Sequence, residues 1–127
     1  MVDAVADALA QRSLAAFDLE LGDLGTFGRG RSARVVWLGM RAGAEAAISL
    51  AAQVEGECVR AGLPAESRPY QPHLTLARAR SREGSRLPDL PAMPPMKSWR
   101  TGELVLYSSR LARTGAVYEA IRTLRLV

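Results

Sequence analysis

Residues 17–38 read FDLELGDLGTFGRGRSARVVWL, and this stretch decides the fold class. The run Phe17–Leu21 alternates apolar and acidic side chains, as a strand with one buried face does. The run Arg34–Leu38 is also strand-like. The connection between them contains Gly22, Gly25, Gly28 and Gly30. Because these glycines lack the spacing of a phosphate-binding loop, they are predicted turn residues, and the two runs are predicted to pair antiparallel.

A helix is predicted on each side of these two strands. Val2, Val5 and Leu9 form a thin apolar stripe with helical spacing, which predicts a helix from Val2 to about Ala16. Residues 44–61 repeat apolar side chains at helical intervals, and Gly62 follows where a C-terminal cap is expected.

The C-terminal half of the chain predicts strands and loops. Prolines 64, 69 and 72 keep the chain extended before a predicted strand at residues 72–78. Residues 81–98 contain Pro88, Pro91, Pro94 and Pro95 among charged residues and predict a long irregular loop. Glu103–Tyr107, a turn near Thr114-Gly115, and Val117–Leu126 predict a terminal hairpin. This order favours an α+β fold with an antiparallel sheet and two main helices.

Length and composition set the limits of the protein class. With 127 residues and 48% hydrophobic content, residues 1–127 are expected to form a single domain. No apolar run approaches the roughly 20 residues that span a bilayer, so we expect a cytoplasmic protein. Cys58 is the only cysteine, which excludes an internal disulfide, and it is predicted to be a small buried helix residue.

The net charge of +4 is unevenly distributed. Residues 1–59 carry five arginines against eight acidic residues, whereas residues 60–127 carry twelve basic residues against five acidic ones. This asymmetry suggests an anionic partner such as nucleic acid. The alternative is that arginines simply solvate the surface of an Ala- and Arg-rich protein.

The only histidine lies in the basic half, in the run Pro72-His73-Leu74-Thr75-Leu76-Ala77-Arg78. Strand alternation predicts that His73 and Thr75 share one face while Leu74 and Leu76 anchor the other. An imidazole can transfer a proton near neutral pH, and a hydroxyl can donate to an anionic oxygen. Alone, however, such a histidine is more often satisfied by a backbone partner than catalytic.

The run at residues 72–78 closely resembles the second signature of the RNA 2′,3′-cyclic phosphodiesterases, also called 2′-5′ RNA ligases. These belong to the LigT-like, two-histidine phosphoesterase superfamily. Further resemblance follows in the same order along the chain. It covers the Phe17 strand, the turn Gly25-Thr26-Phe27, the run Arg34–Gly39 and the ending Glu103–Leu111 with Gly115 and Tyr118.

The resemblance implies a two-lobed fold in which each lobe supplies a His-x-Thr/Ser motif to a shared cleft. This chain has one histidine, so we expect an N-terminally incomplete LigT-like fold that lacks the segment with the first motif. A helix beginning at Val2, with little room for a capping loop, fits a shortened chain.

By resemblance, the family hydrolyses 2′,3′-cyclic phosphate ends of RNA by acid/base catalysis, without a metal or other cofactor. Carried onto this chain, His73 is the expected acid/base and Thr75 the expected phosphate donor. Arg78, Arg80 and Tyr70 are candidates for substrate binding. Strand alternation places Arg78 on the Leu74 side unless a bulge intervenes, so the sequence does not choose between the two arginines.

Two further hypotheses stay open at the level of sequence. The first is a non-catalytic module that binds RNA ends or nucleotides. The second is a homodimer in which two chains each donate His73 to a shared cleft, or cover the sheet exposed by missing strands. Trp99 and Tyr107 are additional candidates for stacking on a base, but a packing role is at least as well supported for each.

Overall fold

The computed structural model describes residues 1–29, 32–87 and 89–127. These residues form two compact units. Unit 1 comprises Met1–Phe17, Ser49–Pro69 and Arg100–Val127, and unit 2 comprises Asp18–Ile48 and Tyr70–Trp99. The elements, in chain order, are α1 (Val2–Ala10), β1 (Phe17–Arg29), β2 (Ser32–Ala42), α2 (Ala44–Arg60), β3 (Leu74–Arg78), β4 (Ser85–Arg86), β5 (Trp99–Thr101), β6 (Glu103–Ala112) and β7 (Gly115–Arg125).

The first helix is shorter than the sequence predicts, because α1 ends at Ala10 rather than near Ala16. The residues after it lie against the chain end. The Ala16 N–H donates to the Val127 carbonyl and the Val127 N–H donates to the Leu14 carbonyl, both at 2.8 Å. Leu14 is only 2% exposed and packs in the core of unit 1. The sequence prediction was wrong because this extended pairing satisfies the backbone and buries Leu14 at the same time.

The second helix agrees with the prediction of residues 44–61, since α2 runs from Ala44 to Arg60. Gly62 adopts a φ of +106°. The Gly62 N–H donates to the Val59 carbonyl and the Leu63 N–H donates to the Cys58 carbonyl, each at 3.0 Å. This is the Schellman arrangement, in which a left-handed glycine closes the last turn of a helix. Cys58 is half-buried rather than fully buried, and packs against the core of unit 1.

A two-stranded sheet, β6 with β7, forms the predicted terminal hairpin. The strands pair antiparallel from Glu103 opposite Arg125 to Ala112 opposite Gly115, and both are longer than predicted. Gly115 has a φ of +126°, a conformation that favours glycine at the turn. Leu124 and Leu126 at the end of the chain contact the apolar cluster around Val5 and Leu9.

Unit 2 is built on the antiparallel pair β1 and β2, as the sequence predicts. The predicted glycine-rich connection, however, is strand: β1 continues through Gly22, Gly25 and Gly28 to Arg29, and Gly30 lies outside the described residues. The prediction of turn residues was therefore wrong for these three glycines. Gly25 lies opposite Trp37 in the register, and a Cβ on Gly25 would overlap the indole. At this position glycine makes room for an aromatic ring within a strand.

The sheet order is β3-β2-β1-β5, and β4 also pairs with β2. β3 begins at Leu74, so His73 immediately precedes the strand rather than lying within it. Leu74 and Leu76 are 48% and 51% exposed, and the prediction that they anchor a buried face was wrong. Among the described residues β3 pairs with β2 alone, and neither leucine is covered by another layer of the fold.

The predicted fold class is confirmed: two helices accompany antiparallel strands in an α+β arrangement. The predicted loop at residues 81–98 is irregular apart from the two-residue strand β4, and Pro88 lies outside the described residues. Among the described helices, neither combines the length and the apolar character needed to cross a bilayer. The single-domain assignment of residues 1–127 stays a prediction.

Candidate active site

Three aromatic rings cluster on one face of the unit 2 sheet. The Phe27 and Trp37 ring centroids are 5.3 Å apart, and the His73 centroid lies 5.2 Å from Phe27 and 6.2 Å from Trp37. The Phe27 and His73 planes are nearly perpendicular, at 89°. Such an edge-to-face arrangement is the favoured geometry of an aromatic pair. The imidazole is therefore supported from the sheet, while His73 as a residue remains exposed.

The tautomer of His73 follows from one contact. Its Nδ1 lies 2.6 Å from the Gln71 carbonyl oxygen. Because a carbonyl oxygen only accepts, this contact requires the proton on Nδ1. In the neutral ring the lone pair is then on Nε2, which has no hydrogen-bond partner among the residues that the structure describes. This arrangement prepares Nε2 to accept a proton from a bound group.

A bulge in β3 decides which side chains share the face with His73. Val36 lies opposite Ala77 and Trp37 lies opposite Thr75, so Leu76 is an extra residue in the ladder. Beyond the bulge, Val35 lies opposite Arg78. Residues directly opposite each other project from the same face, and so do residues two apart on a regular strand. Thr75 and Arg78 therefore project from the same face as Trp37 and Val35.

This bulge answers the question that strand alternation left open for Arg78. If every residue from Thr75 to Arg78 paired with β2 in turn, Arg78 would lie on the face opposite Thr75. Because Leu76 is left out of the ladder, the hydroxyl of Thr75 and the guanidinium of Arg78 both project from the face on which His73 contacts Trp37. The same face thus presents a proton-transfer group, a hydroxyl donor and a cation.

A groove of about 940 Å³ adjoins Arg78 within unit 2. β1 and β2 contribute Phe27, Gly28, Ser32, Arg34 and Val35, and the other wall is formed by Arg78 and the segment Ala79–Glu83. The segment is held to β2 by the Ala79 N–H, which donates to the Arg34 carbonyl at 2.8 Å. Arg80 lines this groove, so both arginines singled out in the sequence lie beside the same cavity.

The other candidate residues predicted from the sequence are three aromatic side chains. Tyr70 is 53% exposed on the extended segment before His73, and within the described part of the chain its ring contacts no other aromatic ring. Trp99 is 48% exposed. Tyr107 belongs to unit 1, where it packs edge-to-face against Tyr118 at 6.2 Å. Among residues 1–29, 32–87 and 89–127, no three His, Cys, Asp or Glu side chains form a group suited to a metal.

Sequence reasoning missed Phe27 and Arg34 as parts of the site. Phe27 was assigned to a turn, whereas it lies in β1 opposite Val35 and contacts His73. Arg34 is an extra residue in β2, because Phe27 and Gly28 lie opposite Val35 and Ala33. The sequence around Phe27 and Arg34 contains no pattern that would have indicated either role.

The fold agrees with the comparisons to known proteins. Residues 1–113 match the 2′-5′ RNA ligase superfamily, and the chain belongs to that superfamily. This confirms the family resemblance found in the sequence.

Among curated relatives, an RNA 2′,3′-cyclic phosphodiesterase of Escherichia coli is 36% identical over 108 residues, which are 84% of this chain and 56% of the relative. An RNA 2′,3′-cyclic phosphodiesterase of Geobacillus stearothermophilus is 34% identical over 123 residues, which are 94% of this chain and 38% of the relative. The chain thus spans little more than half of the first relative's length and less than half of the second's.

Among solved structures, Escherichia coli LigT complexed with 3′-AMP superimposes with a TM-score of 0.79 at 31% identity. The match covers 98% of this chain and 68% of LigT. Nearly all of this chain therefore has a counterpart in the LigT structure, which agrees with the LigT-like fold expected from the sequence.

Proposed function

We propose that this chain acts on 2′,3′-cyclic phosphate ends of RNA, with His73 as acid/base, Thr75 as a hydrogen-bond donor and Arg78 as a cation. The observation that carries the proposal is the β3 bulge, which places Thr75 and Arg78 on the face where His73 contacts Trp37. The names of the Escherichia coli and Geobacillus relatives support this substrate class.

The proposed reaction is hydrolysis of the cyclic phosphodiester. Water attacks phosphorus, a new P–O bond forms, and the bond from phosphorus to one ribose oxygen breaks. The water loses a proton to a base and the leaving ribose oxygen gains a proton from an acid. Nε2 of His73 suits either transfer, since Nδ1 is committed to the Gln71 carbonyl.

Thr75 and Arg78 suit the phosphate itself. Negative charge grows on the non-bridging oxygens during attack, and preorganised donors aimed at those oxygens stabilise the transition state. The Thr75 hydroxyl donates one hydrogen bond, and the Arg78 guanidinium adds a charge with several donors. Arg78 forms no ion pair among the described residues, so no carboxylate competes with a phosphate for it.

This chain supplies one imidazole, and hydrolysis requires two proton transfers. A single positioned acid/base contributes about 10²- to 10⁴-fold in rate. We therefore propose that His73 performs one transfer, and that the rate is below that of a site with two histidines by about this factor.

Two expectations from the sequence stay predictions: a homodimer that joins two His73 side chains in one site, and a cytoplasmic location. Sedimentation tests the homodimer.

The decisive experiment compares the full chain with His73→Ala and His73→Gln on adenosine 2′,3′-cyclic phosphate. The expected result is a slow release of the ring-opened monophosphate that both substitutions reduce by about 10²-fold or more. Equal rates in all three proteins would refute the catalytic role of His73. Binding of the cyclic nucleotide without any turnover would instead indicate the non-catalytic RNA-end module.

A further inference from the structure

The groove beside Arg78 carries unpaired positive charge. Its lining includes Arg34, Arg80 and Arg82 together with Arg78, and among the described lining residues Glu83 is the one carboxylate. Among the described residues, no carboxylate forms an ion pair with any of these four arginines. Glu83 accepts a hydrogen bond from the Ser81 hydroxyl at 3.1 Å, within its own segment. Four guanidinium groups are therefore available to an anion from solution.

The groove is larger than the cyclic phosphate requires. Its volume of about 940 Å³ lies at the upper end of the range for pockets that enclose drug-sized ligands, about 300–1,000 Å³. A single phosphate would leave most of the space, and most of the arginines, without a ligand. The charge and the size together fit several linked phosphates.

The groove begins where the proposed active site ends. Phe27 contacts the His73 ring and also lines the groove, and Arg78 shares a face with Thr75 while lining the groove as well. A 2′,3′-cyclic phosphate forms only at the 3′ end of an RNA, so every other nucleotide of that RNA lies on its 5′ side. An RNA whose 3′ end lies at His73 can enter the groove past Phe27, whose ring offers a stacking surface for a base.

We infer that Arg34, Arg80 and Arg82 hold the phosphates on the 5′ side of the reacting end, so that this chain prefers an oligoribonucleotide to a mononucleotide. The inference rests on the proposed function, because it takes the reacting end to be at His73. It adds a second contact region, which selects for the length of the RNA rather than for its end.

The test measures binding of a fluorescent eight-nucleotide RNA ending in a 2′,3′-cyclic phosphate as a function of salt. The test protein is the full chain with Arg34→Gln, Arg80→Gln and Arg82→Gln. The control carries Arg110→Gln, Arg113→Gln and Arg125→Gln, which make the same charge change at exposed positions of the β6–β7 hairpin. Circular dichroism of both proteins verifies that they are folded.

Each phosphate contact with single-stranded nucleic acid contributes about 0.7 to the slope of log affinity against log salt. The groove variant is expected to lose about 2 from this slope, while the hairpin control stays within about 0.7 of the unmodified chain. The groove variant is expected to lose a smaller factor in affinity for adenosine 2′,3′-cyclic phosphate than for the RNA, because the mononucleotide carries a single phosphate. Equal slopes for the groove variant and the hairpin control would overturn the inference.

A second RNA of the same sequence with a 3′-hydroxyl separates the two proposals. If the cyclic end adds nothing to affinity while the groove variant still loses its slope, the proposed binding of the cyclic end at His73 is wrong. The groove arginines then bind RNA phosphates independently of that end. If the cyclic end strengthens binding while the groove variant behaves like the hairpin control, the reverse holds.

Discussion

The ring of His73 stands perpendicular to the ring of Phe27, with their centroids 5.2 Å apart and their planes at 89°. The imidazole also donates from Nδ1 to the Gln71 carbonyl. The backbone carbonyl fixes which ring nitrogen carries the proton, and the aromatic ring of β1 supports the orientation of this exposed histidine. This is the arrangement that a positioned acid/base requires.

Replacing Phe27 by Leu tests the aromatic support. An aromatic pair contributes about 0.5–1.5 kcal/mol beyond area burial, so kcat for a cyclic nucleotide is expected to fall about 2- to 10-fold with KM little changed. The chain has one histidine, so its ring protons give a single set of NMR signals, which are expected to shift when the Phe27 ring is removed. Phe17→Leu is the matched control, since Phe17 packs against the core of unit 1. Unchanged His73 signals in Phe27→Leu would contradict the contact.

Thr75→Ala tests the proposed phosphate donor. A hydrogen bond to a charged group contributes about 1.5–3 kcal/mol, so affinity for adenosine 2′,3′-cyclic phosphate is expected to fall about 10- to 100-fold. Thr75→Ser keeps the hydroxyl and is expected to bind within a few-fold of the original chain. Calorimetric titration measures both. If the Ser and Ala variants bind equally, the hydroxyl has no part in recognition.

Gly25→Ala tests the close approach of Trp37 to β1. A Cβ at residue 25 overlaps the indole, so Trp37 has to move. Overpacking of this kind lowers the free energy of unfolding by about 1–3 kcal/mol. Gly102→Ala is the matched control, because a Cβ there meets nothing within 4 Å. Denaturant unfolding followed by tryptophan fluorescence compares the two, and equal midpoints would show that the indole has room.

Leu14→Ala tests the segment that follows α1. Leu14 is only 2% exposed, so its truncation removes apolar contacts and leaves a cavity that lowers the free energy of unfolding by about 2–5 kcal/mol. Leu111→Ala removes the same atoms from a side chain that is 89% exposed, and is expected to change stability by less than about 0.5 kcal/mol. Thermal unfolding of both proteins checks the difference.

The fold class was predictable from sequence because it depends on local patterns. The spacing of apolar residues in 44–61 and the glycine at position 62 predicted α2 and its cap, and alternation predicted the β6–β7 hairpin. The end of α1 was not predictable, because the extended segment at Leu14 is stabilised by Val127 at the other end of the chain. Gly25 in β1 was assigned to a turn because its partner, Trp37, is twelve residues away and local sequence does not reveal the pairing.

The candidate site was predictable only in part for the same physical reason. The residue types of His73 and Thr75 were enough to predict proton transfer and hydrogen-bond donation, and their spacing predicted a shared face. The position of Arg78 depends on a bulge that only the pairing with β2 reveals. The contact of Phe27 with His73 likewise depends on β1 and β3 both lying beside β2.

The supernumerary Leu76 means that counting along the chain is not the same as counting steps across the sheet. Keeping this leucine but pairing it with β2 as a regular strand residue would leave every polar group of the motif in place and yet turn the guanidinium two positions later toward the opposite surface. A transplant of the motif into another scaffold therefore has to reproduce the bulge as well as the residue types, because the bulge determines which side chains share a face.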